Sequence, residues 1–174
     1  FRANQAVGIL FRNLYERTAD IGYLSQDADI RTFIQGGGSC SAETIRHRLA
    51  EYAQKYSIYS DVVVFSTNAT ILARLDTTAP GSVTKETFFQ RTLHTQGYVE
   101  TFGTFDFLDG ERNLVYSQTI HDDYGEIIGV LALVFRFENE MQGIFHDLGA
   151  VGMTCMCISD ANGRILASSD EEFL

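Results

Sequence analysis

Two runs of residues in this chain carry donor types that could do chemistry. His121-Asp122-Asp123 offers an imidazole and two carboxylates, the groups that hold a divalent cation. Adjacent residues at a turn diverge rather than converge, so the run reads as turn chemistry and no metal is expected. Cys155 and Cys157 stand two apart and would share one face of a strand, a poor geometry for bonding each other. They are expected to be small apolar residues of a buried strand. With Cys40 they make three cysteines, an odd number that gives no disulfide framework and leans toward a reducing compartment. No spacing marks an activated serine or cysteine nucleophile, and no glycine-rich phosphate loop follows a strand. Asn68-Ala69-Thr70 matches a glycosylation pattern short enough to arise by chance. The chain is therefore expected to be no enzyme and to need no cofactor.

The 174 residues are 45% hydrophobic, with 13 Phe, 8 Tyr and a single Pro, a globular composition with room for one sizeable core. A net charge of −10 excludes nucleic acid as a partner, because phosphate binding needs clustered Lys and Arg. The longest nearly apolar run, Ile127 to Phe135, is far short of the roughly 20 residues that span a bilayer. The sequence opens at Phe1 without an initiator Met or a signal pattern. It is expected to be a piece of something longer, with any membrane attachment in segments outside it.

The elements that would position a site follow from periodicity. Ala3, Val7, Leu10, Leu14, Ile21, Leu24 and Ala28, broken at Arg17, form a heptad-like seam on a helix of about 30 residues. Gly36-Gly37-Gly38 ends that region. Ser41 caps a second helix with the apolar face Ala42, Ile45, Leu49, Tyr52, Ala53 and Tyr56. Asp61 to Phe65 and Thr70 to Leu75 are strands joined by a turn at Thr67-Asn68-Ala69, where asparagine tolerates positive φ. A loop with the single proline leads to a short helix from Lys85 to Thr95. Strands follow at Tyr98 to Phe105, Leu114 to His121 and Glu126 to Phe137, the last apolar on both sides and so central. A closing helix spans Glu138 to Leu148. The order predicts an α+β module, an antiparallel five-stranded sheet with helices on one face.

Beyond that helix the sequence starts again. "STNATILARLD" from Ser66 and "DANGRILASSD" from Asp160 align at a constant offset of 94, with 162 − 68, 165 − 71 and 170 − 76 all equal. Met153 to Ser169 therefore reads as a second copy of the hairpin that begins at Asp61. The expected organisation is a helical region over 1–60, a complete module over 61–149 and the start of a second module over 150–174.

A long helix feeding two such modules resembles the double Cache sensor domain, a tandem of PAS-like modules found in bacterial chemoreceptors, sensor kinases and cyclases. The residues that carry the resemblance are "YSDVVVFSTNATILARLD", "TFFQRTLHTQGYVET" and "LVYSQTIHDDYGEIIGVLALVFRFENEM", and their order and spacing are more specific than any one of them. The resemblance implies a sensor outside the cytoplasmic membrane. It would be a homodimer through the N-terminal helix, binding a small molecule in the first module and signalling down that helix. The cysteines favour the cytoplasm instead.

The resemblance also implies a pocket between the helix after the second strand and the strands that follow it. In a subset of the family, an Arg two residues before an aromatic pair takes the carboxylate of an amino acid, and an Asp in the last strand takes the amine. Here Glu86 precedes Phe88-Phe89, and Val134 stands at the last-strand position, so an amino-acid ligand of that kind is not expected. The candidate ligand-binding residues are Phe89, Arg91, Tyr98, Thr101, Tyr116 and Gln118, with Arg91 as anion anchor and the tyrosines as amphipathic walls. Tyr116 and Gln118 share a face with Leu114 and Ile120, which turns that face inward. The alternative is a module that dimerises or docks a partner and fills the pocket with its own Phe and Tyr side chains.

Overall fold

The computed structural model describes residues 2–38, 40–56, 58–78, 87–108, 110, 112–148 and 155–170. The chain divides into two compact units. One consists of residues 17–135, and the other joins residues 1–16 with 136–174.

Helix α1 (Arg2–Leu24) contributes to both units and is shorter than its seam suggests. Ser25 Oγ donates to the Gly22 carbonyl at 3.0 Å. Asp27 then opens α2 (Ala28–Ile34) by accepting from the amides of Asp29 and Ile30 at 3.0 and 3.2 Å. A side chain that caps a new helix competes with continuation of the old one, so the apolar spacing from Leu24 to Ala28 joins two helices. Ser41 caps α3 (Ala42–Tyr56) as expected, accepting from the Thr44 amide at 3.1 Å. Ile45, Leu49 and Ala53 are its buried face.

The larger unit is built on a five-stranded sheet. Its strands are β1 (Tyr59–Ser66), β2 (Ile71–Arg74), β3 (Tyr98–Gly103), β4 (Asn113–His121) and β5 (Ile127–Phe135), with α4 (Thr87–Leu93) between β2 and β3. The order is β2-β1-β5-β4-β3 with every neighbour antiparallel, so β5 is the central strand expected from its two apolar faces. Lys85 and Glu86, where the short helix was expected to open, lie outside the described residues.

The sheet carries helices on both faces, not on one. On the first face Arg17 of α1 lies over the Tyr59 and Phe135 rings at 5.5 and 5.9 Å, and Tyr52 of α3 stacks on Tyr59 at 6.5 Å. There too a Cβ on Gly129 would lie 2.6 Å from the Phe65 carbonyl oxygen and 3.1 Å from Ile34 of α2. Only glycine allows that approach. On the second face α4 packs Phe88 and Phe89 against Val63, Phe65, Val130, Ala132 and Val134. Strand β5 needs both covers because its alternate residues are apolar throughout.

The turn between β1 and β2 also differs in detail. Ala69, not Asn68, has the positive φ, +67°. Asn68 instead accepts from Ser66 Oγ, the local bonding that makes asparagine a turn residue.

In the smaller unit, α5 (Phe137–Asp147) packs on a two-stranded ribbon of β6 (Cys157–Ser159) and β7 (Ile165–Ser168). Gln142 Nε2 donates to the Ser168 carbonyl at 2.7 Å. Met153, the expected start of this hairpin, lies outside the described residues. Cys155 and Cys157 are exposed rather than buried. In β6 the alternation turns Cys157 and Ser159 outward and Ile158 to the other side.

Candidate functional site

The face under α4 holds the densest aromatic packing among the described residues. Phe65 on β1 meets Phe107 edge-on at 5.4 Å, Phe89 at 5.7 Å and Phe88 at 6.4 Å, and Phe88 meets Phe105 at 5.3 Å. Such edge-to-face pairs align ring quadrupoles favourably. Phe88 and Phe89 come from the inner side of α4. Phe105 and Phe107 come from the turn after β3, where burial still alternates although ladder pairing has stopped at Gly103.

Polar groups are buried beside these rings. Arg74 Nε donates to Asp61 at 3.0 Å, and both of its Nη groups donate to the Phe107 carbonyl at 3.2 Å. Asp61 accepts further from the amides of Val62, Leu75 and Asp76 at 2.8, 3.1 and 2.9 Å. Burial still raises its pKa above the ordinary carboxylate value, outweighing the backbone donors and Arg74. Thr92 Oγ1 donates to the Phe88 carbonyl at 2.7 Å and lies 2.6 Å from Ser117 Oγ. Thr101 Oγ1 is buried and has no hydrogen-bond partner among the described residues. Its cross-strand partner is Val115, so it shares the α4 side with Ser117.

The six residues singled out from the sequence are not gathered in one place. Phe89 and Thr101 lie on the α4 side, and Arg91 is exposed on α4 itself. Tyr98 pairs with Gln118, and Glu100 with Tyr116, on the opposite face. There the Tyr98 and Tyr116 rings are 6.2 Å apart, and the Tyr116 hydroxyl donates to Glu100 at 3.3 Å. Burial first, and Glu100 second, push the Tyr116 phenol pKa up. The division is one of parity. Residues three apart on a strand point to opposite faces, so Tyr98 and Thr101 cannot line one cavity. Tyr116 with Leu114 and Ile120 is inward as expected, but under α1 to α3.

Val134 is buried in the aromatic cluster and pairs with Asp61, while Glu86 lies outside the described residues. Asp122 accepts from the amides of Tyr124 and Glu126, both at 2.9 Å, and Asp123 pairs with Arg31. The carboxylates of that run are thus engaged in turn and ion-pair contacts.

A second polar centre was not foreseen. Arg17 is 3% exposed, and its Nε lies 3.4 Å from Asp20. Asp20 also accepts from the Tyr52 hydroxyl at 2.8 Å and from the Tyr59 hydroxyl. Desolvation and the Asp20 bond drive the Tyr59 phenol pKa upward. Beside this network a cleft of about 560 Å³ opens between α1 and α3, walled by Tyr23, Tyr52, Asp20, Asp27, Arg48 and Glu51. The signal in the sequence was Arg17 itself, a charge at a seam position.

No family profile matches the sequence, and no curated protein does. Solved structures do. The sensor domain of the Vibrio cholerae histidine kinase DctB superposes with a TM-score of 0.81 at 12% identity, over 99% of this chain and 66% of that one. The Escherichia coli DcuS sensor domain gives 0.62 at 15% identity, over 78% of this chain and 97% of that one. The ligand-binding domain of the Pseudomonas aeruginosa amino-acid chemoreceptor PctC, in complex with GABA, gives 0.69 at 18% identity, over 98% of this chain and 74% of that one. This chain has the fold of these sensor domains, and it spans about two thirds of the length of the DctB domain.

Proposed function

We propose that this chain is the ligand-sensing domain of a bacterial signal-transduction protein and that it takes a small organic molecule between α4 and the sheet. The observation that carries the reading is Thr101 Oγ1, a buried hydroxyl without a partner among the described residues. Leaving such a group unpaired costs about 1–3 kcal/mol, a cost a bound ligand would offset. The shared fold supports it, since the DctB and DcuS domains are sensors and the PctC domain binds GABA. Val134 in place of an acid keeps the proposed ligand apart from amino acids held through a last-strand Asp.

Assembly and place belong to the same proposal. Val7, Phe11 and Tyr15 recur every four residues on α1 and are 62%, 72% and 67% exposed, a stripe that supports a homodimer through this helix. No described helix is long and apolar enough to cross a membrane. An extracytoplasmic position, with attachment through segments outside this chain, rests on the family resemblance alone.

The test is calorimetric titration with organic acids, amines, amino acids and neutral amides, followed by Thr101→Val. Affinity for the ligand found should drop about tenfold while the unliganded melting temperature holds or rises, because the substitution removes an unpaired hydroxyl. Unchanged affinity in Thr101→Val sinks the reading of a ligand chamber between α4 and the sheet. One observation favours a second reading, a module that docks partners without a ligand: the phenylalanines of the α4 side pack directly on one another.

A further inference from the structure

Five residues after β3, Thr104 to Leu108, form a turn that is tied to the core. Thr104 and Asp106 are exposed while Phe105 and Phe107 are 4% and 0% exposed. Burial therefore alternates where the ladder to β4 has ended at the Gly103–Asn113 pair, although the backbone at residues 106–108 is a turn. The aromatic contacts with Phe65 and Phe88, the Leu108 amide bond to the Phe105 carbonyl at 3.2 Å, and the Arg74 fork on the Phe107 carbonyl hold the segment down. An aromatic body with an oxygen that accepts from a buried guanidinium is the outline of a bound small molecule.

We infer that Phe105–Phe107 fills the chamber as an internal stand-in for its ligand, and that the ligand displacing it is uncharged, with an apolar body and an accepting oxygen for Arg74. This rests on the chamber reading above. The charge argument is local. Asp61 already answers Arg74 beside these rings, and among the described residues these two are the buried charged groups of this face, so a further buried charge would have to compete for one of them. Arg91, the cation on α4, is exposed. A carboxylate could reach Arg74 only in competition with Asp61, whereas an amide, ketone or ester oxygen replaces the Phe107 carbonyl like for like. The ring space vacated by Phe107 lies among Phe65, Phe88 and Phe105, and it suits an aromatic or branched apolar group.

Three probes with one ring and three charges test this: phenylacetamide, phenylacetate and phenethylamine, titrated into the wild-type chain, Phe107→Ala and Phe107→Leu. Phenylacetamide should bind Phe107→Ala at least tenfold more tightly than wild type, with Phe107→Leu between them. The two charged probes should be at least tenfold weaker than the amide on every variant. If Phe107→Ala does not fold, Phe107→Leu decides, since it keeps an apolar filler. Tighter binding of phenylacetate than of the amide overturns the charge argument. A ligand whose binding depends on Thr101 but not on Phe107 overturns the stand-in and leaves the chamber reading in place. No saturable binding of any probe to either Phe107 variant overturns the inference.

Discussion

The hairpins β1–β2 and β6–β7 are the same backbone object carrying different side chains. Their registers match at the offset of 94. Val63↔Arg74, Val64↔Ala73 and Phe65↔Ile71 correspond to Cys157↔Ser168, Ile158↔Ala167 and Ser159↔Ile165, with the bulge at the same step. The turns close alike, Ser66 amide to Thr70 carbonyl at 2.8 Å and Asp160 amide to Arg164 carbonyl at 2.9 Å. Even the bond beyond the ladder repeats, Leu75 to Val62 at 3.0 Å and Ser169 to Met156 at 2.8 Å. The positions of the buried Asp61–Arg74 pair hold Cys155 and Ser168 in the second hairpin, with Sγ and Oγ 3.5 Å apart. Turn chemistry and strand pattern therefore specify the hairpin. What stands at the positions of Asp61 and Arg74 is free to differ, and of the two hairpins only β1–β2 has a charged pair there.

The largest effect expected from breaking that difference is at Arg74. Arg74→Met strands the buried Asp61 carboxylate and should cost about 3–5 kcal/mol in urea unfolding, while Ser168→Ala at the matching position should cost less than about 1 kcal/mol. Proton linkage sharpens the contrast. Because the folded pKa of Asp61 is raised, its contribution to stability is fully present below the unfolded value near 3.8 and is lost as pH rises through the folded value. Asp61→Asn should remove that slope, and Arg74→Met should extend it to higher pH, since Arg74 lowers the pKa. Next, Val63→Ala should cost about 2 kcal/mol of core packing, against roughly 0.5 kcal/mol or less for the exposed Cys157→Ala. The smallest effect is reciprocal. Ala69 and Gly163 occupy the same positive-φ position, at +67° and +81°. Ala69→Gly should stabilise by about 1 kcal/mol and Gly163→Ala destabilise by about the same, read as opposite shifts in unfolding midpoint.

The repeat was legible because hairpins are local. Asn-x-x-Ile-Leu-Ala advertises its turn and strand without reference to the rest of the chain, and the Ser41 cap and the two-sided β5 are equally local signals. The candidate site was only partly legible. Phe89 and the helix that bears it were found, but Tyr98 and Thr101 were placed together despite their odd spacing. The buried Asp61–Arg74 pair is not legible in the sequence because the two residues are 13 apart and meet only through the hairpin register. Only the turn and the pairing together reveal it. Phe105 was read as the end of a strand, and nothing in the alternation of Phe105 and Phe107 says that the ladder stops two residues earlier. In the sequence Arg17 only breaks an apolar seam, whereas Tyr59 and Phe135 receive it from strands whose arrival on α1 depends on the whole fold.

The Tyr59 hydroxyl, bound to the Asp20 carboxylate and buried, has a consequence for spectroscopy. The chain contains no tryptophan, so its near-ultraviolet absorbance is dominated by tyrosine. Tyr59 and Tyr116 hold their protons beyond the ordinary phenol range while folded, and their folding contribution disappears as alkalinity rises past the unfolded phenol value. Two of the chain's chromophores should therefore ionise together with the opening of the fold. An alkaline absorbance titration becomes a label-free gauge of whether the helices over this face of the sheet are still in place.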